Sequence, residues 1–124
     1  MKIFQDFCEV LESLVMCKFS LYGNVRGKHV LELLNLTTGW GMNFKEMVQT
    51  GERGFNLKRM INVRLGIAFK DDTLPKRLLT EPTQDGGARG RIPPLETMMR
   101  EYYRERGWDE KGVPTQIKLK ELGL

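Results

Sequence analysis

The longest uninterrupted helical pattern in the chain runs from residue 44 to residue 69 and contains no proline. At about 100° per residue, its apolar side chains cover most of the helix circumference. Phe44, Met47 and Phe55 share one arc, while Leu57 and others lie around the remainder. A helix that is apolar on so many sides is expected to be surrounded by other elements. The pattern therefore predicts one long central helix.

Polar residues also recur at helical spacing within this segment. Glu52, Asn56 and Arg59 form one row, and Arg53 and Arg64 form another. Buried polar groups need hydrogen-bond partners. The arginines could clamp an anion, but ion pairs with acidic residues of neighbouring helices are the favoured interpretation.

Shorter segments on both sides of this helix carry the same periodicity. Helices are predicted over residues 3–16, 28–38 and 94–106, with a helical turn beginning at Pro75, a loop over 83–94, and a terminal helix capped by Thr115. The sequence shows no alternation typical of strands and no internal repeat. We therefore expect an all-α fold, a compact multi-helix domain built around one long central helix, with residues 1–124 as a single domain.

Local signals support several helix ends. Asn43 precedes the long helix and Glu46 lies three residues further on, which is close to the reciprocal capping arrangement. Gly39 stands where a left-handed C-terminal cap is needed. Cys8 lies on the apolar stripe of the first helix and is interpreted as core filler, whereas Cys17 falls at or just past the end of that helix.

Composition narrows the functional classes. The 124 residues, 40% of them hydrophobic, suffice for one modest core. The 20 basic and 16 acidic residues are interspersed, so nucleic-acid binding is weakly supported. There is no apolar run long enough to span a membrane and no secretory leader pattern, so we expect a cytoplasmic protein with no nucleic-acid or membrane partner.

Few residues carry an evident chemical signal. His29 is the only histidine, which excludes a histidine-rich metal site, and a surface or supporting role is favoured. Asp71 and Asp72 are adjacent and are interpreted as turn or helix-end carboxylates. Cys17, flanked by Lys18, could ligate a metal or cluster as a thiolate, although a partly buried free thiol is the favoured interpretation from the residues alone. No catalytic residue is assigned.

A series of short motifs spans nearly the whole chain. In order they are Gln5-Asp6, CKF at 17–19, TGW at 38–40, GER and NLKR within 51–59, DDTLPKRLL at 71–79, EYYRERGWDEKGVPT, and KLKELGL. Each motif is weak alone, but their order and spacing are specific. Together they resemble the C-terminal part of the tungsten-pterin aldehyde:ferredoxin oxidoreductases.

The resemblance implies a particular place in a larger enzyme. In that family an N-terminal domain carries the bis-pterin tungsten cofactor, and two largely helical domains follow. A 4Fe–4S cluster is held by three cysteines in a CxxCxxxC arrangement and by a distant fourth, which Cys17 matches. Four thiolates are needed to hold such a cluster. Since this chain has two cysteines, it does not build the site unaided.

The segment before Cys17 aligns with a pterin-binding pattern close to Asp-x-x-Gly-Leu-Cys. Here Glu12 stands for the aspartate and Val15 for the glycine. A glycine there permits a positive φ or a close approach of the backbone to a ligand, whereas a β-branched valine does neither easily. The resemblance implies that Glu12 and Met16 approach the pterin and that Cys17 supplies one iron ligand.

Two functional hypotheses follow. In the first, the chain is the C-terminal domain or a split subunit of a tungstopterin, iron–sulfur enzyme that converts an aldehyde to a carboxylate and passes electrons to ferredoxin. It would be inactive alone, and the 4Fe–4S cluster and tungstopterin would bind only with the missing domains. A separate chain could carry those domains. In the second, it is a stand-alone helical partner-binding module or a non-catalytic remnant of that domain.

Overall fold

The computed structural model describes residues 1–67 and 69–124. Over these residues the chain is helical, and its only extended pairing is an isolated bridge between Trp108 and Pro114. The α-helices are α1 (Lys2–Ser13), α2 (Gly27–Thr38), α3 (Phe44–Arg64), α4 (Lys76–Thr80), α5 (Leu95–Arg106) and α6 (Gln116–Leu122). Single 3₁₀ turns span Lys18–Leu21, Phe69–Asp71 and Gly86–Ala88. The predicted all-α fold is confirmed. None of the helices in the described ranges is long and apolar enough to cross a membrane.

The long helix α3 starts where the sequence predicts. The Glu46 amide donates to Asn43 Oδ1 at 3.0 Å, and the Asn43 amide donates to Glu46 Oε2 at 2.8 Å, which completes the capping box. The predicted end at residue 69 is wrong, because α3 stops at Arg64. Gly66 adopts a left-handed φ of +87°, which turns the chain out of the helix. Residue 68 of the predicted segment lies outside the described residues.

The core lies where α1, α2 and α3 meet. Its central cluster is Val10 and Leu11 from α1, Val30 from α2 and Met47 from α3, and Cys8 of α1 is also buried. This core covers only part of α3: Leu57 and Ile61 are about half exposed. The expectation that α3 is surrounded on most sides is therefore wrong for the face that carries these two residues.

The helices α1 and α3 pack at very short range and in the same direction. Gly51 of α3 lies against the backbone of Asp6, and further along, Lys58 of α3 binds Glu12 of α1. The missing side chain of Gly51 lets the two backbones approach each other. Glu12 and the end of α1 are thereby fixed against the middle of α3.

The C-terminal part of the chain returns to α1 through a buried ion pair. Arg106 at the end of α5 donates to Asp6, and both side chains are fully buried. Arg106 also donates to Gln5 Oε1 at 2.7 Å and to Tyr102 Oη at 3.0 Å, and its guanidinium lies 3.9 Å from the centroid of the Phe55 ring. Such hydrogen bonds are needed for a buried charge to be tolerated.

Each of four helices ends with the same pair of backbone hydrogen bonds, which is known as the Schellman arrangement. In each, one amide bonds the carbonyl three residues before it, and the next amide bonds the carbonyl five residues before it. The residue in the left-handed conformation is glycine at the ends of α3, α5 and α6, namely Gly66, Gly107 and Gly123, and it is Val15 at the end of α1. The end of α1 is therefore the exception among these four helix ends.

Candidate functional site

Cys17 lies directly after this exceptional helix end. It precedes the 3₁₀ turn Lys18–Leu21, and its carbonyl accepts a hydrogen bond from the Ser20 amide at 3.0 Å. The thiol is free and exposed, whereas Cys8 is free and buried in the core. Both positions were predicted: Cys17 follows the helix, and Cys8 fills the core. Only Cys17 therefore presents its sulfur to a group outside the chain.

Val15 sets the direction in which the chain leaves α1. Its amide bonds the Glu12 carbonyl at 3.0 Å, and the following amide, of Met16, bonds the Leu11 carbonyl at 2.8 Å. The Val15 φ of +56° is left-handed, a conformation that costs an L-residue about 1–2 kcal/mol. The position that matches the family's glycine thus has the backbone geometry that glycine favours, although a valine occupies it.

Glu12 is held between two lysines. Lys18 Nζ lies 2.5 Å from Glu12 Oε1, and Lys58 Nζ lies 2.8 Å from Glu12 Oε2 and 2.8 Å from Glu9 Oε2. The hydrogen bonds from Lys18 and then Lys58 lower the pKa of the Glu12 carboxyl to about 2. The carboxylate stays ionised at neutral pH and ties the residues on either side of Cys17 to α3.

Met16 packs inward. Its side chain is half-buried against the core cluster that includes Leu11. An apolar contact between these two positions commonly accompanies the Schellman arrangement. The structure thus brings Glu12 and Cys17 to the surface at the end of α1, while Met16 anchors that end to the core.

The resemblance implies two groups near the end of α1, an iron–sulfur cluster and a pterin. The residues present there fit only the cluster. An exposed thiol at a fixed helix end suits a single ligand of a metal cluster, and Cys17 provides that. In the described part of the chain no three His, Cys, Asp or Glu side chains are grouped so as to hold a metal ion. For a pterin the side chains do not fit, because both oxygens of Glu12 bind lysines and Met16 packs inward. The pterin contacts of Glu12 and Met16 stay predictions of the resemblance.

A second polar cluster, which sequence reasoning did not locate, joins α3 to the segment after it. Arg59 donates to both oxygens of Asp72, at 2.9 and 2.5 Å, and Tyr103 Oη donates to Asp72 Oδ2 at 2.5 Å. Arg59 also donates to the Gly112 carbonyl at 2.7 Å and lies over the Trp108 ring. Arg59 forms an ion pair, as the favoured interpretation expects, but its partner Asp72 lies in the segment after α3 and not on a neighbouring helix. Asp72 is thus a tertiary contact rather than only a turn residue.

The electrostatics of this cluster keep its charges fixed. Burial alone would raise the pKa of the Asp72 carboxyl, but the hydrogen bonds from Arg59 and Tyr103 outweigh burial and lower that pKa. Burial, followed by the hydrogen bond to Asp72, raises the pKa of the Tyr103 hydroxyl. The cluster therefore holds a neutral tyrosine and a paired carboxylate, and neither is suited to exchange protons near neutral pH.

An open groove of about 1110 Å³ lies beside this cluster, between residues 69–73 and α5. Apolar and aromatic residues line it, including Leu79, Leu95, Met99, Tyr103 and Trp108, together with charged residues such as Lys70, Glu96 and Arg100. Trp108 Nε1 donates to Asn56 Oδ1 at 2.7 Å, so the indole ring is held against α3. The Tyr103 hydroxyl and the Trp108 indole nitrogen are thus already engaged in hydrogen bonds, and we assign no chemistry to the groove.

His29 and the Gly-rich loop carry no site. His29 Nδ1 accepts a hydrogen bond from the Arg26 amide at 3.1 Å and caps the start of α2, a supporting role. The residues of the loop over 83–94 are exposed apart from Pro93, in agreement with the predicted solvent loop.

Comparisons with known proteins place the sequence in a family. Residues 1–124 match the family described as "Aldehyde ferredoxin oxidoreductase, domains 2 & 3". The tungsten-containing aldehyde ferredoxin oxidoreductases of Pyrococcus abyssi and Pyrococcus furiosus are each 37% identical over 123 residues, which is 98% of this chain and 20% of each relative. A Pyrococcus furiosus protein named "Aliphatic sulfonate oxidoreductase, WOR-like subunit" is 29% identical over 122 residues, covering 91% of this chain and 19% of that protein.

The described residues form a helical domain with one free, exposed thiol, that of Cys17, just after the end of α1. The chain belongs to the aldehyde ferredoxin oxidoreductase family, and it matches the C-terminal part of its tungsten-containing members. It spans about a fifth of the length of the curated relatives it matches.

Proposed function

We propose that residues 1–124 form the C-terminal domain, or a split subunit, of a tungstopterin, iron–sulfur enzyme that oxidises an aldehyde to a carboxylate and passes the electrons to ferredoxin. The observation that carries the proposal is the match of the whole chain to one end of enzymes five times as long. The word "subunit" in the name of the sulfonate oxidoreductase relative supports an arrangement in which the parts lie on separate chains.

In this proposal Cys17 is one of four cysteine ligands of a 4Fe–4S cluster, and the other three come from the cofactor-carrying part of the enzyme. When bound, the cluster supplies one-electron transfer between the reaction centre and ferredoxin. The task of this chain is positional. The turn at Val15 places Cys17 at the surface, Met16 anchors the turn to the core, and the bond between Glu12 and Lys58 holds it against α3.

The chain by itself is proposed to be catalytically silent. It offers one exposed thiol, and the described carboxylates near that thiol are bound by lysines. Aldehyde oxidation coupled to a redox dye by the isolated chain would contradict this part of the proposal.

The test is co-expression with the family polypeptide of the same genome that carries the cofactor-binding part, followed by iron and tungsten analysis of the co-purified complex. We expect a complex that contains both metals, and a Cys17→Ser variant that loses cluster iron. Cys8→Ser is the matched control, because Cys8 is buried in the core and should leave the iron content unchanged.

A second candidate is a stand-alone helical partner-binding module or a non-catalytic remnant of the domain. The observation that favours it is the departure of Glu12 and Val15 from the family pattern, together with the engagement of Glu12 by two lysines. If no cofactor-carrying polypeptide co-purifies and no metal is found, the second candidate replaces the first.

A further inference from the structure

The carboxylate that the family resemblance assigns to a pterin contact is already occupied in this chain. Glu12 Oε1 lies 2.5 Å from Lys18 Nζ, and Glu12 Oε2 lies 2.8 Å from Lys58 Nζ. Hydrogen bonds between charged groups are roughly twice as strong as those between neutral groups. A neutral heterocycle such as a pterin would have to compete with two ammonium groups for the same carboxylate. Glu12 is therefore poorly suited to a pterin and well suited to hold the two lysines.

The network around Glu12 is anchored at a nearly buried group. Lys58 Nζ also lies 2.8 Å from Glu9 Oε2, and the Glu9 side chain is only 9% exposed. A buried carboxylate that loses its counter-ion is costly, so Glu9 keeps Lys58 in place. The close approach of α3 to α1 at Gly51 fixes the position of Lys58 relative to α1 as well. Glu12 thus binds a cation whose place is set by the packing of the two helices.

A side chain closes the turn between Glu12 and Cys17. Val15 has a left-handed φ of +56° and is 93% exposed. Its two methyl groups therefore project from the helix end into the space through which a ligand would reach the backbone of the turn. A glycine, as in the family pattern, leaves such a space empty and lets a ligand approach the backbone closely. This chain has the backbone geometry that glycine favours, without the access that glycine provides.

The residue between Val15 and Cys17 faces the core. Met16 packs against the cluster that includes Leu11, and the Met16 amide bonds the Leu11 carbonyl at 2.8 Å. A side chain turned inward in this way does not reach a ligand outside the turn. Three positions of the pattern, those of Glu12, Val15 and Met16, therefore disagree with a pterin contact for three different physical reasons.

We propose that the turn before Cys17 does not contact the pterin in this protein, and that Glu12 is a positioning residue, which clamps the cysteine-bearing turn to α3 through Lys18 and Lys58. The first part rests on the proposed function, because only the complete enzyme holds a pterin. The second part is a property of the isolated chain. Glu12 precedes the cysteine and Lys18 follows it, so one carboxylate ties both sides of Cys17 to α3.

Hydrogen exchange of the isolated chain tests the clamp. The reporters are the hydrogen-bonded amides of the turn, those of Val15, Met16 and Ser20. Glu12→Gln should speed the exchange of these amides about two- to fivefold, which is the range that an exposed ion pair supports. The Gly39 amide at the end of α2, which bonds the Asn35 carbonyl at 2.8 Å, should exchange at an unchanged rate.

A double-mutant cycle distinguishes the clamp from a general loss of stability. Glu12→Gln and Lys58→Met together should speed the exchange of the turn by clearly less than the product of the single effects, and Lys58→Arg should keep most of the protection. The matched control is Glu81→Gln, which breaks the exposed pair with Arg77 on α4 and should leave the turn unchanged. Independent effects of Glu12 and Lys58 would overturn the clamp, as would unchanged exchange in Glu12→Gln.

The complex with the cofactor-carrying polypeptide tests the pterin part. The complex should contain as much pterin and tungsten with Glu12→Gln as with the unchanged chain, whereas Cys17→Ser should lose cluster iron. Glu12→Asp combined with Val15→Gly reproduces the family pattern. This variant should slow the release of tungsten from the complex about threefold or more, as one added hydrogen bond would do.

The outcomes separate this inference from the proposed function. A fall in tungsten content with Glu12→Gln would show that Glu12 contacts the cofactor, which overturns the inference and leaves the proposed function intact. Unchanged release from the variant that reproduces the family pattern would overturn the closing role of Val15. If no complex forms, the proposed function fails, and hydrogen exchange of the isolated chain alone decides whether Glu12 is a clamp.

Discussion

Gly51 of α3 faces Asp6 of α1 so closely that a Cβ atom on Gly51 would overlap the Asp6 carbonyl oxygen. The obstacle is backbone, which cannot move without displacing α1. The contact joins the helix that carries Cys17 at its end to the helix that forms the centre of the domain.

Gly51→Ala is therefore expected to destabilise the protein by about 3 kcal/mol or more, at the upper end of what overpacking usually costs. The free energy of unfolding from urea titration measures the effect. Gly54→Ala is the control, because its nearest neighbour is the flexible Glu9 side chain at 3.0 Å. That variant should be close to neutral. Equal losses at the two positions would contradict the close backbone contact.

Val15→Gly is expected to stabilise the isolated chain by about 0.5–1 kcal/mol. The left-handed conformation costs a non-glycine residue about 1–2 kcal/mol, and the greater flexibility of glycine in the unfolded chain offsets about 0.5–1 kcal/mol of the gain. The reciprocal change is Gly66→Val at the equivalent position of α3, where no heavy atom lies within 4 Å of the added Cβ. It should destabilise by a similar amount. Thermal unfolding of both variants tests the pair, and a loss of stability in Val15→Gly would be incompatible with strain at this site.

Breaking the buried pair of Asp6 and Arg106 should be costly. Arg106→Met leaves the carboxylate of Asp6 without its main partner in the core, and the expected loss is about 3–5 kcal/mol. Asp6→Asn combined with Arg106→Met removes both charges and should cost clearly less than the sum of the two single changes. Urea unfolding of the single and double variants gives the coupling. Additive losses would show that the two side chains do not act as a pair.

Acid should destabilise the fold partly through Asp72. Its pKa is lowered in the folded protein, while the unfolded chain titrates near the ordinary value of about 3.9. The carboxylate therefore contributes stability above about pH 4, and this contribution is lost as the pH falls through the lower folded pKa. Asp72→Asn should flatten the pH dependence of the melting temperature between about pH 5 and pH 2. A variant with the unchanged slope would rule out Asp72 as a source of the acid sensitivity.

The sequence sufficed for features that depend on neighbours along the chain. The capping box of Asn43 and Glu46, the left-handed Gly39, and the hydrogen bond from the Lys118 amide to Thr115 Oγ1 at 3.2 Å all follow from local patterns. The placement of Cys17 just after a helix was correct for the same reason. Such features are decided within a few residues.

Other features depend on contacts between distant residues, and these were missed. The apolar pattern continues on both sides of Gly66, so this glycine was not recognised as a helix end. The predicted α3 was therefore five residues too long. Nothing in the local sequence of Asp6 or Arg106 indicates that they meet, because they lie 100 residues apart. The inward direction of Met16 and the lysines around Glu12 likewise depend on α3, which a motif comparison at the end of α1 does not contain.

The span of 100 residues between Asp6 and Arg106 has a consequence for synthesis on the ribosome. α1 emerges first, yet Asp6 obtains its main ionic partner only when α5 has left the exit tunnel. Until then the segment that carries Cys17 has only the contacts that α2 and α3 provide. Nascent chains halted before residue 106 should therefore be protease-sensitive at α1, and protection should appear once the final helices have been released.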